Sequence, residues 1–64
     1  MAAIYQLMIG KKQINDVYHN EDDAARSAMQ IAIDSGEVVE VWEAEEIEDT
    51  PYDELEWSNI LRVF

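Results

Sequence analysis

The 64-residue chain carries 15 Asp and Glu against four Lys and Arg, a formal charge of −11, and no cysteine. That length supports one small core, which must hold by packing without disulfides or Cys-based zinc sites. Direct nucleic-acid binding is excluded, because phosphate affinity needs Lys and Arg to displace counterions. The apolar stretches fall far short of the ~20 residues that span a bilayer, and Met1-Ala2-Ala3 is no secretory leader. The expected address is cytoplasmic, with no membrane partner. Hydrophobic residues make up 48% of the chain and six are aromatic, enough apolar content to fold despite the charge.

The first element, Ala3-Ile4-Tyr5-Gln6-Leu7-Met8-Ile9, is β-rich and bounded by Gly10. Gln13-Ile14-Asn15-Asp16-Val17-Tyr18 alternates polar with apolar residues, and Gly10-Lys11-Lys12 reads as a hairpin loop of about three residues. Asn20 then caps a helix running from Glu21 to about Ser35. Acids occupy its first turn and Gly36 ends it. Ala25, Ala28, Met29, Ala32 and Ile33 follow the helical period and mark the expected buried face. Glu37-Val38-Val39-Glu40-Val41-Trp42-Glu43-Ala44 reads as a third strand. Thr50-Pro51 resembles a helix start, so a short helical turn is expected over 51–57. Asn59-Ile60-Leu61-Arg62-Val63-Phe64 is a final strand. The expected fold is a small two-layer α+β domain spanning 1–64. Its antiparallel ββαβ(β) sheet has one helix packed on one face.

Charge is distributed unevenly. Residues 1–33 hold four acids and three bases, whereas 34–64 hold eleven acids and only Arg62. All eleven lie within 34–56.

Catalytic chemistry finds no support. His19 is the only histidine, no Cys exists for a Cys/His pair, and Ser27, Ser35 and Ser58 lack a nucleophile-elbow context. No Gly-rich loop cradles a phosphate. Asp49-Thr50-Pro51-Tyr52-Asp53-Glu54 is oxygen-rich but lacks the calcium-loop pattern. No catalytic residue, cofactor or metal is expected.

A binding surface remains. Alternate strand residues share a face about 6.6–6.8 Å apart, which pairs Glu43 with Glu45 and puts Glu40 on the opposite face beside Trp42. Glu46, Glu48, Asp49, Asp53, Glu54 and Glu56 extend the field along the following segment. Duplex DNA presents a negative charge about every 1.7 Å of axis, so such an array can compete for a basic groove built for DNA. Charge alone leaves a solvated face that prevents aggregation equally open. Core burial is the expected fate of Trp42. Tyr52 and Trp57, flanked by acids, are the better interface anchors, a role in which Trp and Tyr are enriched. Lys11 and Lys12 make a polar hairpin tip, or else one pole of a charge dipole.

Three segments, Ile4-Tyr5-Gln6-Leu7, Asp23-Ala24-Ala25-Arg26-Ser27-Ala28-Met29-Gln30-Ile31-Ala32-Ile33 and Val38-Val39-Glu40-Val41, resemble the small acidic inhibitors that phages and mobile elements encode against host defence. Among these they are most similar to the type I anti-CRISPR proteins. The resemblance covers residues 3 to 44 and has no counterpart from Glu45 onward. It implies stoichiometric, non-catalytic inhibition of a host nucleic-acid machine. An acidic monomer would occupy the basic surface where a CRISPR surveillance complex accepts target DNA, with the PAM-reading subunit as an obvious basic target. No functional motif transfers position by position. Alternative targets are a restriction enzyme, a nuclease or RNA polymerase. A structural module pairing through a strand edge is the reading from another class.

Overall fold

The computed structural model describes residues 2–64. Its elements run β1 (Ala3–Ile9), β2 (Lys12–Tyr18), α1 (Glu21–Ser35), β3 (Val39–Glu45), a single 3-10 turn (Tyr52–Glu54) and β4 (Ser58–Val63). The strands form one antiparallel sheet in the order β2-β1-β3-β4. The expected α+β fold is therefore the observed one.

Local chemistry sets the ends of these elements. Ile9 pairs with Lys12, so the first hairpin turns on two residues rather than three, with Gly10 at φ 62. A positive φ at the first loop position is what a type II′ turn needs, and Gly adopts it without steric cost. The Asn20 side chain accepts from the Asp23 backbone N–H at 3.1 Å, capping α1. Gly36, in the left-handed region at φ 72, closes the helix by donating to the Ala32 carbonyl at 2.9 Å.

The buried face of α1 differs from the expected one. Ala24, Ala28 and Ala32 are buried, whereas Met29 is 49% and Ile33 77% exposed; Ala25 is half-buried. The three alanines, spaced by four, form a narrow smooth stripe that seats the helix close to the sheet. Larger side chains on that stripe would hold it off. Tyr5, Leu7, Val39 and Val41 meet the stripe from β1 and β3, flanked by Ile14, Tyr18, Ile31, Leu61 and Val63.

The opposite face of the sheet is covered by the connection between β3 and β4. Ile4 and Ala44, register partners on that face, pack with Leu55, and Val17 and Trp57 close around them. This second cluster decides where the acidic segment runs. The expected helical turn over 51–57 shrinks to the 3-10 turn Tyr52–Glu54. Thr50 makes no cap there, because Pro51 is the cap residue and no side chain bonds the turn. Trp57 instead donates its Nε1–H to the Tyr52 carbonyl at 2.7 Å, tying the connection back on itself.

Two bulges shape the sheet. β1 pairs Tyr5 with Tyr18 but Leu7 with Ile14, so Asn15, Asp16 and Val17 bow out opposite Gln6, and Asn15 takes φ 61. In β4 one residue is extra between Asn59 and Leu61. The Asn59 amide donates to the carbonyls of Val41 and Leu61, each at 3.1 Å, and so stitches that bulge. No helix among the described residues is long and apolar enough to cross a membrane.

Candidate functional site

β2 and β3 both run antiparallel to β1, so they finish at the same end of the sheet, and α1 starts where β2 finishes. The first-turn acids Glu21, Asp22 and Asp23 therefore join Glu43, Glu45 and Glu46 from the end of β3 and Glu56 from the approach to β4. Lys11 and Lys12 on the β1–β2 hairpin and Arg62 near the end of β4 lie at the other end, with Asp34, Glu37 and Glu40. Three of the four bases thus lie among acids there, while the first end gathers seven acids, with Arg26 in the second turn of α1 the remaining base. Seven residues at about 3.3 Å each separate the two ends by roughly 20 Å, more than two Debye lengths at physiological salt.

The expected site residues do not share a single face. Glu40 stands on the face away from the helix, beside Trp42, where the alternation placed it. It accepts from Trp42 Nε1 at 3.3 Å and pairs with Arg62 at 3.5 Å. Those partners engage it within the domain and at the neutral end, so it stands apart from the other acids. Glu43, on the helix-facing side, is the register partner of Tyr5. Burial pushes the Tyr5 phenol above its usual range. The interaction of the phenol with the Glu43 carboxylate and, more weakly, the Glu21 charge push the same way.

The remaining carboxylates line three shallow hollows around the acidic end. Glu43, Glu45 and Glu56 share one with Ser58; Glu45, Glu54 and Glu56 share a second beside Leu55; Glu46, Glu48 and Asp49 share a third with Ile47, Pro51 and Tyr52. Asp49 holds a left-handed φ of 64, which Asp tolerates better than most residues, and the chain reverses there. Tyr52 donates its hydroxyl to Glu46 at 3.3 Å and stays 45% exposed, so its ring forms part of the outer surface. Asp53 lies off this arc, in a groove with Lys11, Gln13 and Trp57.

The aromatic expectations change places. Trp42, expected in the core, is half-buried and belongs to neither apolar cluster, because the residues covering its face pack farther along the sheet over Ile4 and Ala44. Trp57, expected as an exposed anchor, is half-buried against that second cluster. Tyr52 alone keeps the exposed position expected of it.

Sequence reading assigned Glu21, Asp22 and Asp23 only to favourable helix electrostatics and missed them as part of this surface. The β-β-α-β order carried the signal: two antiparallel steps make β2 and β3 parallel, so a helix following β2 must begin beside the end of β3. Among the described residues, no three His, Asp or Glu side chains converge as metal ligands. The arrangement is suited to long-range attraction of a positively charged surface, with Tyr52 as a contact point. Compared with protein-family models, curated proteins and solved structures, the chain matches none.

Proposed function

We propose that this chain is a non-catalytic inhibitor of the anti-CRISPR type, acting in a bacterial cytoplasm. Its acidic end occupies a basic protein surface on which a CRISPR surveillance complex would accept target DNA. The observation carrying this reading is the gathering of the helix-start acids with those of β3 and the β3–β4 connection, away from Lys11, Lys12 and Arg62. A one-ended charge of this kind orients the molecule during diffusional approach and raises the encounter rate, an effect that declines as salt increases. Fixing the carboxylates on strands and a docked connection, rather than on a mobile tail, lowers the ordering cost of binding.

Charge reversal at Glu45, Glu46, Glu48 and Asp49 together provides the test, since all four side chains lie outside both apolar clusters. Loading of a PAM-containing duplex onto a type I surveillance complex is followed by fluorescence anisotropy with increasing inhibitor. The unaltered chain is expected to block loading at near-stoichiometric amounts and to lose potency as salt rises. The reversed variant, its fold checked by circular dichroism, is expected to leave loading intact. Equal inhibition by both chains would overturn the mimicry reading. A restriction enzyme, a nuclease or RNA polymerase offers grooves of the same chemistry, and capture from host lysate at low and high salt distinguishes these targets.

A further inference from the structure

We infer that the β4 edge is a self-association surface, and that two copies join there into one continuous eight-stranded sheet. This does not rest on the inhibitor reading. Both β2 and β4 are edge strands, and an edge exposes unpaired N–H and C=O groups that proteins usually defend. β2 is defended: its bulge pushes Asn15, Asp16 and Val17 out of line, Asn15 sits at φ 61, and Lys12 and Asp16 are exposed on it. The bulge limits any ladder along that edge to Lys12, Gln13 and Ile14. β4 differs, because its bulge is a single residue stitched by the Asn59 amide, and Leu61, Arg62 and Val63 pair regularly with Val41, Glu40 and Val39.

Composition points the same way. The chain has 15 acidic side chains, yet residues 57–64 contain none, and their one charged side chain is Arg62. Ile60 is 42% and Phe64 88% exposed on that stretch, and the Arg62 guanidinium lies 5.5 Å from the Phe64 ring centre. A segment free of acidic side chains that exposes Ile60 and Phe64 is the part of this molecule that two copies can bring together without opposing side-chain carboxylates.

Charge also selects the arrangement. A two-fold axis makes the β4–β4 pairing antiparallel, so the acidic end of one copy lies beside the neutral end of the other. The two acidic ends then point in opposite directions, where screening over a Debye length of about 8 Å weakens their repulsion. A parallel pairing would set them side by side. Stable interfaces bury about 600–1,000 Å² per partner, and each chain exposes 4546 Å² in all. A single six-residue strand falls at the small end of that range, so the dimer should dissociate on dilution.

Sedimentation equilibrium over a concentration series reads this directly. The expected result is a mass rising from that of the 7.4 kDa chain to twice that value, with the dimer favoured by added salt as self-repulsion is screened. Acid-driven binding to a basic partner has the opposite salt dependence, which keeps the two readings separate. Ile60→Lys and Phe64→Lys lie outside both apolar clusters, and each lowers the net negative charge. Both are expected to leave the circular dichroism spectrum unchanged and to shift the chain to monomer. Gln13→Lys on the β2 edge is expected to leave the dimer in place. A wild-type monomer at every concentration and salt would overturn the proposal, as would a dimer indifferent to both Ile60→Lys and Phe64→Lys.

Discussion

Leu55→Ala separates the two apolar clusters energetically. Leu55 is 7% exposed and is the one buried side chain that the β3–β4 connection sets against the sheet, on Ile4 and Ala44. Truncating a buried Leu to Ala costs about 2–5 kcal/mol, depending on how far the site can collapse. Here the neighbours Val17 and Trp57 are only partly buried, so relaxation is easy and the lower part of that range, about 2–3 kcal/mol, applies. A 64-residue domain has roughly 3–10 kcal/mol in total, so the loss is severe but need not unfold the helix-facing core. The connection should instead detach locally. Backbone amides that depend on docking, such as those of Thr50, Glu54 and Leu55, which donate to Ile47, Pro51 and Tyr52, should exchange roughly 30- to 140-fold faster with deuterium. Amides in α1 and β1 should change far less. Leu7→Ala, at a fully buried position under α1, is the contrasting variant and should speed exchange everywhere. Equal acceleration throughout the Leu55→Ala chain would refute the idea that the connection docks as a separate unit. So would a destabilisation below about 0.5 kcal/mol, the scale of an ordinary surface substitution.

Asn20→Ala removes the acceptor of the Asp23 N–H and should lower stability by about 1 kcal/mol, read from the urea midpoint. Gly36→Ala meets no steric obstacle but must hold φ near 72, so a loss of about 1–2 kcal/mol is expected from backbone strain alone. Because the Tyr5 phenol is raised in the folded chain, the unfolded chain releases this proton first, near its ordinary pKa of about 10. Stability from this group is therefore complete below about pH 10 and is lost as pH rises through the folded value; Tyr5→Phe should flatten that alkaline decline in urea titrations. Raising NaCl should increase the thermal midpoint, since a net charge of −11 with carboxylates crowded at one end opposes folding. A midpoint independent of salt would show that the crowding costs nothing.

Much of the architecture was legible in the residues because its signals are local. The Asn20 cap, the Gly36 stop, the Gly10 turn and the alternation around Val39 and Val41 act within a few residues of themselves, and the element order followed from them. The site was legible in composition but not in shape. Alternation placed Glu40 beside Trp42 and opposite Glu43, as observed, since a strand's period of two is independent of its neighbours. Nothing local revealed how 46–57 would travel, because its path depends on Leu55 finding Ile4 and Ala44.

The sequence by itself determined the net charge, the boundaries of α1 and the sheet-forming segments, because propensity, capping and periodicity are short-range properties. Only the tertiary structure decided which side of α1 turned inward, where close approach to the sheet chose Ala24, Ala28 and Ala32 over Met29 and Ile33. It also decided that Trp57 packs more deeply than its acidic neighbours suggest. Above all, it brought Glu21, Asp22 and Asp23 to the end of β3. Coulomb interaction depends on distance in space, and only the sheet's strand directions set that distance for charges more than twenty residues apart.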